Sequence, residues 1–146
     1  MKSIRILLLL SIVLLYWGGH SDGTDSVSCN RKKLKGLYTY LASPTTFVFR
    51  EENTMTERLG DIGVITEYDI RWQSKTSCDH QLIVKKVTTT SITPEKYKPY
   101  LLAVGDVLNI TILEVTDKYV SFRTRYNDNV VEETMHRIPE EMLIGK

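Results

Sequence analysis

The sequence predicts an all-β domain in which seven to eight antiparallel strands, in meander order, form a small calyx-like barrel or a sandwich. Three observations predict this fold class. Apolar and polar residues alternate over long stretches that are rich in β-branched and aromatic side chains, turn residues separate these stretches at short intervals, and helical periodicity is nearly absent. No internal repeat or low-complexity segment indicates a second domain.

Two stretches, 64–72 and 119–126, show the alternation most clearly. In each, one face is mainly apolar and aromatic and the other is polar, which is typical of antiparallel strands with one face in water. The apolar faces comprise Val64, Thr66, Tyr68, Ile70 and Trp72 in the first stretch, and Val120, Phe122 and Tyr126 in the second. The opposite faces carry Glu67, Asp69 and Arg71, and Ser121, Arg123 and Arg125.

Less regular runs predict further strands, and two breaks between runs are short enough for hairpins. The predicted strands are 37–41, 46–50, 81–90 and 130–137, and the hairpin turns lie at Asp117 and at 127–129.

Helical signals are confined to two places. Thr93 and Pro94 resemble a helix cap and a first helical residue, so one or two turns are predicted to run to about Tyr97, where Pro99 ends them. A last short turn is predicted over Pro139–Ile144, where acidic residues lie near the start of the turn.

Residues 1–23 are predicted to be a secretory signal peptide that is removed from the mature chain. Lys2 and Arg5 precede the run 6–17, which is apolar except for Ser11, and cleavage after Ser21 or Gly23 would place small residues at the cut site. The apolar run is shorter than the roughly 20 residues that a transmembrane helix needs, although an uncleaved anchor is the alternative. The leader therefore predicts an extracellular protein without stable membrane insertion.

The charge of the mature chain argues against a nucleic acid as its main partner. Removing residues 1–23 takes away two basic residues and one acidic residue from the 19 and 18 of the full chain, which leaves 17 of each. Nucleic-acid-binding domains usually carry a basic patch. The one basic cluster lies in and beside the N-terminal arm, 24–34, and is interpreted as solvated, with a heparin or lipid-headgroup site as the alternative; it comprises Arg31, Lys32, Lys33 and Lys35.

Two cysteines remain after the leader, and in an exported chain they predict one disulfide between Cys29 and Cys78. This bridge would tie the arm to the single domain at 35–146. A catalytic thiol lacks a convincing partner. A metal site is not predicted either, because the two cysteines with His80 and His136 have no familiar zinc-ligand spacing.

Asn109 begins the sequence Asn-Ile-Thr, an N-glycosylation sequon that the predicted export makes available for modification. A glycan on Asn109 requires this side chain to face water. Leu108, Ile110 and Ile112 must then face the other way, as in a half-buried strand.

No catalytic constellation is present, so the chain is predicted not to be an enzyme and to need no cofactor. Nucleophile-elbow, phosphate-loop and paired-histidine motifs are all missing from the sequence. Glu132 and Glu133 are adjacent in an extended run and point to opposite faces, so they do not form an acid–base pair on one strand.

A closed barrel of about eight strands has room inside for one small ligand. The predicted ligand-binding residues are the large inward side chains Tyr68, Trp72, Phe122 and Tyr126. The alternative is that these residues are simply core. Thr66 and Thr124 lie on otherwise apolar faces, and this favours a pocket, because a ligand or water could satisfy their hydroxyls if they are buried.

Two short motifs carry a resemblance to a known family. The run Leu34–Tyr38 resembles the first-strand Gly-x-Trp motif of the lipocalins, with Tyr38 in place of tryptophan. The run Val115–Val120 resembles their second motif, Thr-Asp-Tyr, with Lys118 in place of the central aromatic residue. The chain is thus similar to divergent, secreted members of the lipocalin (calycin) family such as the salivary lipocalins. The resemblance implies an eight-stranded calyx that binds a small hydrophobic or amine ligand.

The sequence therefore predicts a secreted carrier or scavenger of a small hydrophobic or amphipathic molecule. The alternative is a secreted protein–protein interaction module or effector with a solid β core and no ligand cavity. In that alternative, an extracellular protein partner would contact the charged outer faces, which comprise Glu67, Asp69, Arg71, Arg123 and Arg125.

Overall fold

The computed structural model describes residues 29–139 and 141, so the predicted leader and most of the predicted C-terminal turn lie outside the described residues. Eight antiparallel strands form a closed barrel in which each strand pairs with the next and β8 pairs with β1. The predicted all-β barrel is confirmed. The strands are β1 (Gly36–Tyr40), β2 (Ser43–Arg50), β3 (Thr54–Leu59), β4 (Val64–Trp72), β5 (His80–Thr89), β6 (Val107–Val115), β7 (Tyr119–Tyr126) and β8 (Asn129–Arg137).

Two short 3-10 helices accompany the strands. We call Arg31–Leu34, which precedes β1, the arm helix, and Glu95–Tyr100, which lies between β5 and β6, the mouth helix. The prediction that Pro99 ends the second helix is wrong. This helix tolerates the proline because its end bonds are donated by other residues, Tyr97 to the Pro94 carbonyl and Leu101 to the Lys98 carbonyl. In the described part of the chain, no helix is long and apolar enough to cross a membrane.

The predicted faces of β4, β6 and β7 are the observed ones. Along β4, alternate residues are buried from Val64 to Ile70, and along β7 from Val120 to Tyr126. On β6, Leu108 and Ile110 are buried, whereas Asn109 between them is exposed on the outer surface of the barrel. The alternation of apolar and polar residues therefore identifies the side chains of these strands that point into the barrel.

The N-terminal arm closes one end of the barrel. Cys29 and Cys78 form the predicted disulfide, with an S–S distance of 2.00 Å, and Leu34 of the arm helix is buried against the core. Across the same end, the guanidinium of Arg31 lies 4.3 Å from the centre of the Trp72 ring and donates a hydrogen bond to the Ser74 carbonyl. We refer to this as the closed end.

Arg137, near the end of β8, joins three elements at the closed end. Its guanidinium stacks on the Tyr38 ring at 4.9 Å and donates hydrogen bonds of 2.6 Å to the carbonyls of Lys35 and Lys33. Gly36 makes this approach possible, because its φ is +139° and a Cβ there would collide with the Arg137 guanidinium. The run Gly36–Tyr38 thus lies where β1, the arm helix and the last residue of β8 meet.

The opposite end is open, and the barrel seam between β1 and β8 is short. β8 pairs with β1 only through Arg137 and His136, because β1 has five residues and its pairing with β2 shifts register between Thr39 and Tyr40. The chain then turns at Leu41 into β2. The first part of β8, near the open end, is consequently bordered by β7 alone among the described residues.

Candidate ligand-binding site

A cavity of about 560 Å³ occupies the open half of the barrel, and a smaller void of about 40 Å³ lies deeper. The larger volume falls within the range of about 300–1,000 Å³ that small-molecule sites usually have. The mouth helix and the segment after it contribute to the lining. The residues from this region are Tyr97, Tyr100, Leu101 and Leu102, and those from the barrel include Tyr40, Glu57, Leu59, Val64, Thr66, Tyr68 and Glu133.

The lining of the larger cavity is strongly acidic. Four carboxylate side chains border it, and no lysine or arginine among the described residues does so. Two of the four, on β3 and β8, are half-buried inside the barrel, and the other two lie exposed at the rim. The interior pair is Glu57 and Glu133, and the rim pair is Asp61 and Glu132.

The interior carboxylates are held in an environment that disfavours their charge. Desolvation by burial, and then the negative charge of Glu57, raise the pKa of Glu133 to about 7. Burial also raises the pKa of Glu57, and hydrogen bonds with the hydroxyls of Tyr68, at 3.2 Å, and of Tyr40 oppose that rise. The cavity therefore holds a carboxyl pair that a bound cation would stabilise in its charged form.

Tyrosine rings surround this carboxyl pair. Tyr40 and Tyr68 are buried beside it, and Tyr97 and Tyr100 border the cavity from the mouth helix. Burial, and then the charge of Glu57, raise the pKa of both Tyr40 and Tyr68 well above the ordinary value, so both hydroxyls stay protonated donors at neutral pH. Aromatic faces attract cations, and their hydroxyls provide hydrogen bonds.

A buried cation lies at the other end of the barrel interior. Arg50 is 2 % exposed and lines the smaller void, and its Nη2 lies 3.0 Å from Nε2 of His80. His80 Nδ1 lies 2.8 Å from the Cys78 carbonyl and donates to it, which leaves Nε2 as the acceptor. Burial, and then the charge of Arg50, lower the pKa of His80 to about 3, so the imidazole is neutral. Arg50 shares the lining of the smaller void with Glu57 and Glu133, and of these three only the two carboxylates also line the larger cavity.

The four ligand-binding residues predicted from the sequence lie at different levels of the barrel. Tyr68 lines both the larger cavity and the deeper void, and Phe122 lines the deeper void. Trp72 lies at the closed end, where its Nε1 donates to the Glu52 carbonyl at 3.1 Å, and it does not border the larger cavity.

Tyr126 is also buried and also lies outside the lining of the larger cavity. Its hydroxyl donates a hydrogen bond of 2.8 Å to Asp106, which precedes β6. The two predicted threonines both reach inner space, Thr66 in the larger cavity and Thr124 in the deeper void.

Sequence reasoning missed Glu57 and the pairing of Glu57 with Glu133. The prediction that Glu132 and Glu133 face opposite ways is confirmed: Glu132 is exposed and forms an ion pair of 2.6 Å with Arg123, whereas Glu133 faces inward opposite Phe122. The acidic partner of Glu133 comes from β3, a strand that the sequence analysis did not predict. Its inward positions are 55 and 57, and only the first is apolar, so the alternation in this strand was a weak signal.

The charged outer faces that a protein partner was expected to contact are largely paired within the sheet. Glu67 pairs with Lys86 at 3.5 Å, and Asp69 pairs with Lys85 at 3.3 Å. Exposed pairs of this kind contribute little to stability, about 0–1 kcal/mol each. These ion pairs nevertheless compensate much of the charge on the outer faces of the sheet.

No metal site is found in the described part of the chain, where no group of three or more histidine, cysteine, aspartate or glutamate side chains could hold an ion. A scan against protein-family models, a search of curated proteins and a search of solved structures each found no match to this chain. The site must therefore be interpreted from its own geometry and charge.

Proposed function

We propose that this protein is a secreted, lipocalin-like carrier or scavenger that holds a small organic amine in its barrel. One observation carries the proposal: a cavity large enough for a small molecule is lined by four carboxylates and four tyrosines, with no lysine or arginine from the described residues. Such a lining favours a compact cation with an apolar body over a neutral lipid or an anion.

The interior pair explains why the cation would be selected. Burying one protonated carboxyl is tolerable, but burying two ionised carboxylates without a counter-charge is costly. An ammonium group between Glu57 and Glu133 would supply that counter-charge and form charge-assisted hydrogen bonds. The apolar body of the ligand would then lie against side chains nearer the mouth, such as Leu59, Val64 and Leu101.

Three features support export. The leader predicted at residues 1–23, the sequon at Asn109 and the disulfide Cys29–Cys78 all suit an extracellular protein. Asn109 is exposed on the outer face of β6, so a glycan there would point away from the cavity, and its Oδ1 accepts a hydrogen bond of 3.0 Å from Gln81.

The proposal is tested with three ligands that share a phenyl ring and differ in their head group: 2-phenylethylamine, 2-phenylethanol and phenylacetate. Isothermal titration calorimetry at pH 8, where Glu133 is ionised, is expected to show the amine binding at least about tenfold more tightly than the alcohol. Phenylacetate is expected not to bind, because its carboxylate would face four others.

The alcohol is the matched control for apolar burial, and two results would contradict the proposal. Equal affinity for amine and alcohol would show that the cavity selects apolar bulk alone. Absence of binding by all three ligands would contradict the proposed role as a small-ligand carrier, and a protein–protein interaction module would be the remaining interpretation.

A further inference from the structure

The larger cavity is lined by both faces of β8. Glu133 borders it from inside the barrel, and Glu132, Thr134 and His136, which alternate with the inward residues, border it as well. Alternate residues of a strand point to opposite faces, so one cavity reaches both faces only by passing around the edge of the strand. The cavity therefore opens sideways, through the seam between β8 and the turn at Leu41 and Ala42, which also lines it.

Along this seam, part of the edge of β8 has no neighbouring strand among the described residues. The two-residue hairpin between Tyr126 and Asn129 makes these two residues a hydrogen-bonded pair, and the register of β7 with β8 then continues without a shift. By alternation, Val130, Glu132 and Thr134 direct their N–H and C=O groups away from β7. Among the described residues, β1 does not reach them, since it pairs only with His136 and Arg137.

The side chains along this edge indicate what would pair with it. Leu41, which lines the cavity across the seam, is 72 % exposed, and Val130, farther along the same edge of β8, is 50 % exposed, so apolar surface is available on both sides of the seam. The charge beside the opening is acidic on β8, from Glu132 at the rim and Glu133 inside. An extended chain could form backbone hydrogen bonds with this edge. Its small apolar residues would pack against the apolar surface, and one basic residue would pair with the carboxylates.

We propose that the open edge of β8 binds an extended polypeptide as an added antiparallel strand, with a lysine side chain of that peptide entering the barrel towards Glu133 and Glu57. The peptide residues on either side of the lysine would exchange backbone hydrogen bonds with Glu132 and Thr134. The lysine, opposite Glu133, would occupy a position without a hydrogen bond to β8. This proposal rests on the proposed function only in that the same two carboxylates receive the cation.

The test uses a fluorescently labelled peptide, acetyl-Thr-Val-Lys-Val-Thr-amide, and measures its binding to the full mature chain at pH 8 by fluorescence anisotropy. Two backbone variants are matched in chemistry: N-methylation of both valines removes donors that face β8, and N-methylation of the lysine removes one that faces away. We expect the valine variant to bind at least about tenfold more weakly and the lysine variant to bind within about threefold of the parent peptide. Replacing the lysine by norleucine is expected to weaken binding at least about tenfold.

The outcomes separate the two proposals. Absence of peptide binding, or equal binding of both N-methylated peptides, would overturn the added strand, whether or not 2-phenylethylamine binds. If the norleucine peptide binds as tightly as the parent, the lysine does not use the carboxylates. Peptide binding with the expected pattern and no binding of 2-phenylethylamine would support the added strand and contradict the small-amine carrier.

Discussion

Replacing both Cys29 and Cys78 by serine is expected to lower the free energy of unfolding by about 4 kcal/mol. The two cysteines are 49 residues apart in sequence. Without the cross-link, the unfolded chain gains conformational entropy, and for a loop of this length that gain favours unfolding by about 4 kcal/mol. The released arm also carries Arg31, which stacks on Trp72, and Leu34, which is buried in the core. Chemical denaturation followed by tryptophan fluorescence measures the change.

Reductant provides the control for this prediction. Wild-type protein treated with reductant is expected to approach the stability of the Cys29→Ser/Cys78→Ser variant, whereas the variant itself should not respond to reductant. Because the bridge lies at the closed end, amine affinity of the folded variant should stay within about threefold of wild type. A loss of stability below about 1 kcal/mol would show that the arm does not brace the barrel.

Replacing Glu133 by glutamine is expected to stabilise the ligand-free protein at pH 8. The pKa of Glu133 is about 7 in the folded protein against an ordinary value of 4.5, so the folded state binds this proton more tightly than the unfolded state does. The stabilising contribution of the protonated carboxyl is complete below about pH 4.5 and is lost as the pH rises through 7. Above that pH the buried charge costs the folded state on the order of 1–3 kcal/mol, which glutamine would remove.

The same substitution is expected to weaken binding of 2-phenylethylamine at pH 8 by about tenfold or more, because one partner of the ammonium loses its charge. Glu67→Gln is the matched control, since Glu67 lies on the outer face of β4, pairs with Lys86 and does not line the cavity. We expect Glu67→Gln to change stability by less than about 1 kcal/mol and to leave amine affinity nearly unchanged. Denaturation curves from pH 4 to 8 for both variants measure the difference, and identical curves would contradict the assignment.

The parts of the fold that the sequence predicts are those in which the apolar pattern is continuous. β4 and β7 alternate without interruption, and the turns at Asp117 and 127–129 interrupt the pattern sharply, so these strands and hairpins were predictable. β3 was missed because one of its inward positions is occupied by Glu57, and a carboxylate at an inward position obscures the period of two.

A polar residue at an inward position also limits prediction of the site. Large side chains at inward positions stand out in the sequence, but of the four that were predicted only Tyr68 lines the larger cavity, and Phe122 lines the deeper void. The carboxyl pair is formed by β3 and β8, which are distant in sequence, and only closure of the barrel brings the two strands around one cavity. Local rules fail most often where a residue serves a site rather than the fold, and an inward glutamate is such a residue.

The most direct test of the acidic cation site is the titration of the Glu133 side-chain carboxyl by carbon-13 NMR, with its signal assigned by comparison with Glu133→Gln. In the ligand-free protein, the expected pKa is about 7. Saturation with 2-phenylethylamine is predicted to lower this pKa by at least about one unit, because a neighbouring cation favours the carboxylate. A pKa near 4.5 in the free protein, or a pKa that does not change when the amine is bound, would contradict the acidic cation site.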